Sequence, residues 1–173
     1  MKKQVHPQKT IAIASRIVMP NECNTLNNLM GGNLLSWLDI NSAISAHRFC
    51  NRIVVTAAVN NVAFDHPIRH GDIVTIESKV SRSFNSSMEV FSDVYVEDHR
   101  TGKKLKCNEA IYTFVAVDQI GSPIEVPTLQ PETALEKSRY GSALRRRQLS
   151  LLLAKKIQPK EASELYDFIC NVN

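Results

Sequence analysis

Between Asn24 and Cys50 the chain reads NTLNNLMGGNLLSWLDINSAISAHRFC, a polar turn running through a Gly-Gly pair into helical pattern. Leu34, Leu35, Leu38, Ala43 and Ala46 recur at helical rather than strand spacing, which predicts about five turns of largely buried helix. Gly31 and Gly32 bring no side chains to its start. A carbonyl or an anion can therefore approach backbone N–H groups that the helix leaves unpaired, at the positive end of its dipole. Asp39 falls inside the apolar run. A carboxylate there must find a partner, reach water or shift its pKa upward. The turn and helix start are read as a site, with Asp39 the first candidate for chemistry.

Gly32 and Asp39 are two helical turns apart, so they share a face but are separated by roughly 10 Å along the axis. A single reacting atom cannot lie about 3 Å from both. If both act in one reaction, Gly32 of one subunit must face Asp39 of another across antiparallel helices. An active site shared between subunits is the expectation.

At 173 residues and 43% hydrophobic content, the chain can form one domain with a proper core plus an appendage. It has no apolar run of membrane-spanning length, and MKKQVHPQKT has no apolar segment behind its lysines, so a soluble cytoplasmic protein is expected, without a membrane partner. Cys23, Cys50, Cys107 and Cys170 are widely spaced, with no CxxC pair and no zinc-type His spacing, and are expected to be reduced thiols. A net charge of +4 implies no nucleic-acid partner, although local basic clusters suit an anionic ligand.

Thr10 to Met19 reads as a strand closed by Pro20-Asn21, and the turn delivers Asn24. Arg52 to Phe64 reads as a strand whose apolar stretch suggests partial burial on both faces. After a turn at His66 to Asp72, strands at Asp72 to Phe84, Ser86 to Asp98 and Leu105 to Asp118 form a meander. One strand, one long helix and four strands predict an α+β domain, a single curved antiparallel sheet wrapped around the helix. Gly121, Pro123, Pro127 and Pro131 end the sheet, giving domains of 1–127 and 128–173. In the second, Pro131 to Ile157 has helix-forming composition weakened at Gly141, and Pro159 opens a short helix through Cys170. Leu149, Leu151, Leu152 and Leu153 need cover, expected from the outside of the sheet or from another subunit.

Taken together, Asn24, the Gly31-Gly32 helix start, WLD at Trp37 to Asp39, VTAAVNNVAFDHPIRHGD at Val55 to Asp72 and SRSFNSSMEV at Ser81 to Val90 carry a family resemblance. The chain resembles the hotdog-fold acyl-CoA thioesterases, specifically the group of cytosolic long-chain acyl-CoA hydrolases of animals and their short single-domain bacterial relatives. The resemblance covers about Thr10 to Asp118, and the Arg-rich tail helix is also typical of the group. It implies that two hotdogs pair into a continuous sheet with antiparallel central helices, often assembling further into hexameric trimers of dimers. It implies acyl-CoA as substrate, a role in lipid metabolism, and no metal or redox cofactor.

By matching position, Asn24 corresponds to the family's catalytic asparagine and Asp39 to its catalytic carboxylate. The Gly32 backbone, beside Gly31, corresponds to the donor that polarises the thioester carbonyl. Thr56, Ala57, Ala58 and Val59, with Ser86, Ser87 and Met88, correspond to positions lining the pantetheine and phosphate path of coenzyme A. Arg145, Arg146 and Arg147 correspond to the basic end of the tail helix. Many relatives have Gly in place of Asn27, and often His or Phe in place of Met30.

A thioester is already activated, so its hydrolysis needs a placed water, a group to deprotonate or replace it, and donors for the developing oxyanion. Asp39 would act as general base or attack directly to give an anhydride, and both routes stay open. Asn24 would hold the water or the carbonyl, although a turn or capping role fits it as well. Asp39 pairing with an Arg, or glycines serving only tight packing, are the plainer alternatives. Two other functions compete. A non-catalytic acyl-CoA-binding regulator would keep the pocket and lose the acid or the amide. A hotdog 3-hydroxyacyl thioester dehydratase would need a His at the helix start, and His47 lies at the other end.

Overall fold

The computed structural model describes residues 3–60, 62, 66–98 and 100–171. They fall into two compact units, Met1–Gln130 and Pro131–Asn173.

The first unit is built around helix α1, Gly31–Cys50. Leu34, Trp37, Leu38, Asn41, Ser42, Ser45, Ala46, Phe49 and Cys50 are its buried residues, one stripe at helical spacing. Leu35 and Ala43, expected in the core, are only half-buried. The helix stops at Asn51, whose left-handed backbone (φ 51°) is one of the few conformations in which an Asn ends a helix as Gly does.

Around α1 curls a five-stranded antiparallel sheet of β2 (Ala12–Ile17), β3 (Ile53–Asn60), β4 (Ile73–Ser83), β5 (Ser87–Glu97) and β6 (Lys104–Val117), in the order β2-β4-β5-β6-β3. Every strand of this sheet contacts the helix. Alternation decides which side chains do so: Val74, Ile76, Ser78 and Val80 of β4, Met88, Val90, Ser92 and Val94 of β5, and Ala110, Tyr112, Phe114 and Ala116 of β6 are all almost fully buried. The meander is as the hairpin signals imply, with Phe84 N–H bonding Ser87 O at 2.8 Å to close the β4–β5 turn. A short parallel pair, β1 (Gln4–Val5) with β7 (Thr128–Leu129), adds a piece the sequence pattern does not signal.

A polar stitch sets the helix on the sheet. Asn41 Nδ2 lies 3.0 Å from Ala12 O, 3.3 Å from Ile76 O and 2.7 Å from Ser78 Oγ. Ser92 Oγ in turn meets Ser78 Oγ at 2.7 Å and Ser42 Oγ at 2.8 Å. These groups are buried, so each needs its partner, and the helix cannot slide without orphaning several at once.

Strand β3 departs from expectation. It ends at Asn60, residues 61, 63 and 64 of the expected strand lie outside the described residues, and it is mostly exposed rather than buried on two faces. Ile53, Val55 and Val59 are 55%, 46% and 48% exposed. The reason is position: β3 is an edge strand, paired on one side with β6, so its apolar composition has no second neighbour within the chain. A bulge between Thr56 and Ala58 interrupts its register with β6.

In the second unit α2 (Ala134–Leu153) starts with a capping box, Thr133 Oγ1 accepting from Glu136 N–H and Glu136 Oε2 accepting from Thr133 N–H. It continues through Gly141. After a short 3-10 turn at Pro159–Glu161 comes α3 (Ser163–Asn171), which meets α2 where Leu165 N–H bonds Gln148 Oε1 and Arg145 stacks on Phe168.

Asn41→Ala leaves Ala12 O and Ser78 buried without their shared donor, and is expected to cost about 2–3 kcal/mol. A urea unfolding midpoint unchanged from the parent protein would show that the stitch does not hold the helix.

Candidate active site

The loop into α1 is knotted together by its own polar groups. Asn24 Oδ1 accepts from Leu26 N–H (2.9 Å) and Asn28 N–H (3.1 Å), while Asn24 N–H bonds Asn28 O at 2.7 Å. Asn27 sits at φ 61°, left-handed backbone that Asn tolerates and Gly prefers. Met30 N–H and Asn33 Nδ2 both bond Glu22 O, and Leu29 N–H bonds Ile68 O. The turn reading of Asn24 is therefore correct for its oxygen. Its Nδ2 has no hydrogen-bond partner among the described residues and stands on an exposed side chain.

At the start of α1 no side chain caps the helix, and Met30 O is taken by Asn33 and Leu34 N–H. Gly31 and Gly32 N–H make no hydrogen bond among the described residues. A Cβ placed on Gly32 would meet nothing within 4 Å. Tight packing inside the chain is thus not why Gly32 lacks a side chain.

Asn24 and Gly31 line a cleft of about 350 Å³ whose remaining wall is largely apolar, formed by Leu29, Leu34, Pro67 and Ile68. His66 stands at its edge. His66, Pro67 and Ile68 arrive from the segment before β4, and no sequence spacing signals that they join this wall. His47 lies at the far end of α1 with Nδ1 2.9 Å from Arg52 O. Cys23 Sγ contacts Met19 O at 3.4 Å.

Asp39 is half-buried, and its partner is Thr56, whose Oγ1–H donates to Asp39 Oδ1 at 2.7 Å. Thr56 stands immediately before the β3 bulge, which turns the strand locally and fits it to aim this hydroxyl at the helix. Beneath lies Tyr112, whose hydroxyl donates to Leu35 O at 3.1 Å. Burial, and then the Asp39 charge, push the Tyr112 phenol up to about 12. The sequence singled out Asp39 correctly as a carboxylate needing a partner, but the bond from Thr56 and the nearby phenol emerge only when β3 and β6 are placed beside the helix.

The other expected contacts divide. Thr56, Ala57, Ala58 and Val59 are exposed along β3, and Ser86 is half-exposed at a hairpin one strand away, since Ser87 pairs with Val115 and Val115 with Val55. Met88 has none of its side chain exposed and Ser87 is 6% exposed, which makes both side chains core residues rather than the lining of an open path. Alternation along β5 turns Met88 toward the helix. Arg145, Arg146 and Arg147 lie in the middle of α2, not at a basic end, and its last turn has no basic residue. Three consecutive helical residues fan across about 200°, so one anion cannot meet all three. Arg145 is engaged by Ser142 at 2.9 Å and by Phe168, while burial lowers the Arg147 pKa. Among the described residues no His, Cys, Asp and Glu cluster could hold a metal ion.

The thioesterase superfamily model matches residues 26–103. An uncharacterised acyl-CoA thioester hydrolase, YkhA, of Bacillus subtilis is 41% identical over 75% of this chain and 75% of its own length. Mouse acyl-coenzyme A thioesterase 11 is 38% identical over 83% of this chain, which spans only 24% of that relative. Among solved structures, an apo-hexameric acyl-CoA thioesterase superposes with a TM-score of 0.85 at 32% identity, covering 88% of this chain and 97% of the other. An acyl-CoA hydrolase of Staphylococcus aureus, solved with butyryl coenzyme A, coenzyme A and coenzyme A disulfide, superposes with a TM-score of 0.80 at 29% identity, covering 97% and 99%. That hydrolase has also been solved with a single Asn, Asp or Thr replaced by Ala, and the three positions have the same order and spacing as Asn24, Asp39 and Thr56.

Because the Tyr112 pKa is raised above its unfolded value near 10, its neutral form contributes stability that is complete below about pH 10 and is lost as pH rises toward 12. Asp39→Asn removes the neighbouring charge and is expected to lower the Tyr112 midpoint, read by NMR titration of ring-labelled tyrosine. An unmoved midpoint would show that the carboxylate does not act on the phenol.

Proposed function

The chain belongs to the thioesterase superfamily, and from that premise we propose that it hydrolyses acyl-CoA to a free fatty acid and coenzyme A at a site shared between two subunits. One observation carries the proposal. The unpaired Gly31 and Gly32 N–H groups and Asn24 Nδ2 lie at one end of a rigid helix, and the Thr56-bound carboxylate lies two turns, roughly 10 Å, further along it. A second copy with its α1 antiparallel brings the carboxylate of one to the donors of the other.

Two features of the surface support that assembly. Gly32, Leu35, Asp39 and Ala43 form a stripe on α1 that the sheet leaves uncovered or half-covered, and its small residues allow close helix approach. The free edge of β3, with exposed Ile53, Val55 and Val59, offers ladder groups and apolar side chains to a second β3. Two edges joined in this way make a continuous sheet. The hexameric state of a structural neighbour supports further assembly into a trimer of dimers.

In the reaction, Gly32 N–H, with Gly31 beside it, stabilises the thioester oxygen as it becomes negative. Asn24 Oδ1 is held by the turn, so its Nδ2 is fixed as a donor to the carbonyl or the attacking water. Asp39 of the facing subunit deprotonates that water, or attacks the carbonyl carbon itself, and Thr56 holds the carboxylate in one orientation. The sulfur leaves as a thiolate, which lessens the demand for a general acid. Coenzyme A lies along Thr56 to Val59 and past Ser86. The residues assigned these steps need no metal or redox cofactor.

Asn24→Ala and Asp39→Ala are each expected to abolish thiol release from acyl-CoA while leaving the oligomer intact by light scattering. Refolding an equal mixture of the two variants restores roughly a quarter of parental activity if sites are shared, because half the dimers are mixed and each mixed dimer has one complete site. Complete inactivity of the mixture would mean that Asn24 and Asp39 of each site come from the same subunit.

A further inference from the structure

The cleft beside Gly31 is adjoined by a second cavity of about 330 Å³, and the two share His66 and Pro67 in their walls. The second is lined by the apolar Val96, Leu105 and Cys107 and by the charged Arg69, Asp72, Asp98, Lys103 and Lys106. Leu105 is 51% exposed, an apolar side chain that the fold leaves uncovered. Cys107 is buried, its Sγ lies 3.5 Å from Val94 O, and burial pushes the thiol up to about 11.

Taking the proposed thioesterase reaction as given, we infer that the acyl chain occupies these two cavities in series, and that the His66–Pro67 ridge between them divides short acyl groups from long ones. The argument starts at the carbonyl. Its oxygen points to the Gly31 and Gly32 N–H groups, so the two arms of the thioester leave in different directions. The coenzyme A arm is polar and anionic. The hydrocarbon arm is stabilised by leaving water, and the apolar wall adjoining the donors is Leu29, Leu34 and Ile68. At about 30 Å³ per water-sized group, comparable to a methylene, the first cavity holds roughly ten groups at most, and its polar edge reduces that. A longer chain must cross the ridge, where Val96, Leu105 and Cys107 receive its end.

Leu105 is therefore a specificity-determining residue far from the reacting atoms. Thiol release is measured with butyryl-, octanoyl- and palmitoyl-CoA on the full-length oligomer. Leu105→Trp fills the second cavity, and is expected to lower kcat/KM for palmitoyl-CoA about tenfold or more while butyryl-CoA stays within about twofold of the parent. Leu105→Gln removes the apolar wall without adding bulk and is expected to show the same chain-length-selective loss, with retained butyryl-CoA turnover reporting an intact fold. Unchanged palmitoyl-CoA turnover in both variants, or a uniform loss across chain lengths in both, would overturn the two-cavity path and leave hydrolysis itself standing. A parent protein inactive on every chain length would instead remove the thioesterase reading, and this path with it.

Discussion

Everything in the first unit follows from how much of α1 the sheet covers. The sheet takes one stripe of the helix, matched by the inward-facing alternate residues of β4, β5 and β6, and the Asn41–Ser78–Ser92–Ser42 chain of hydrogen bonds fixes where along the sheet the helix sits. Apolar packing alone would tolerate a shift of the helix by a turn, since one Leu resembles another. Buried hydrogen bonds do not, because a shifted donor leaves several acceptors stranded at once. The cost of that pinning is that the opposite stripe, with Gly32, Leu35, Asp39 and Ala43, is left partly bare.

That bare stripe holds the groups to which the proposed reaction assigns its chemistry. The glycine N–H groups are available because the helix start has no side-chain cap, and the carboxylate is available because it is held by Thr56 rather than neutralised by a cation. A helix is stiff, so these two assets cannot be brought together within one chain. The same rigidity that makes a single copy incomplete makes the proposed antiparallel pair well defined, with the apolar edge of β3 as the other half of the contact. In the proposed reaction Asn24 serves both the turn and the substrate: its oxygen is spent on loop backbone N–H groups, which leaves the amide hydrogens as donors.

Helix and meander were legible along the chain because their signals are local. The Leu34–Leu38–Ala46 spacing, the Gly31-Gly32 start, and the Asn85 and Gly102 turns state element type and ends without reference to anything distant. Asp39 was legible as an anomaly, a charge in an apolar run. The distance that separates Gly32 from Asp39 was legible too, because helix pitch is a constant. The family pattern added expected roles to these residues, and the structure adds where they sit. Met88 lies in the core because strand alternation places it there, and Arg145–Arg147 lie mid-helix and diverge.

By itself, then, the sequence determined an amphipathic helix, its glycine start, the strands, and a carboxylate two turns along, since these depend on periodicity and on residues close in the chain. Only the tertiary structure decided that β3 is an edge, that its bulge fits Thr56 to Asp39, that Asn41 pins the helix, and that Leu29, Leu34, Ile68 and Leu105 line adjoining cavities. Those facts depend on strand order and on contacts between segments tens of residues apart. A strand at an edge and a strand in the middle of a sheet can carry the same letters, and what distinguishes them is the neighbour each one has.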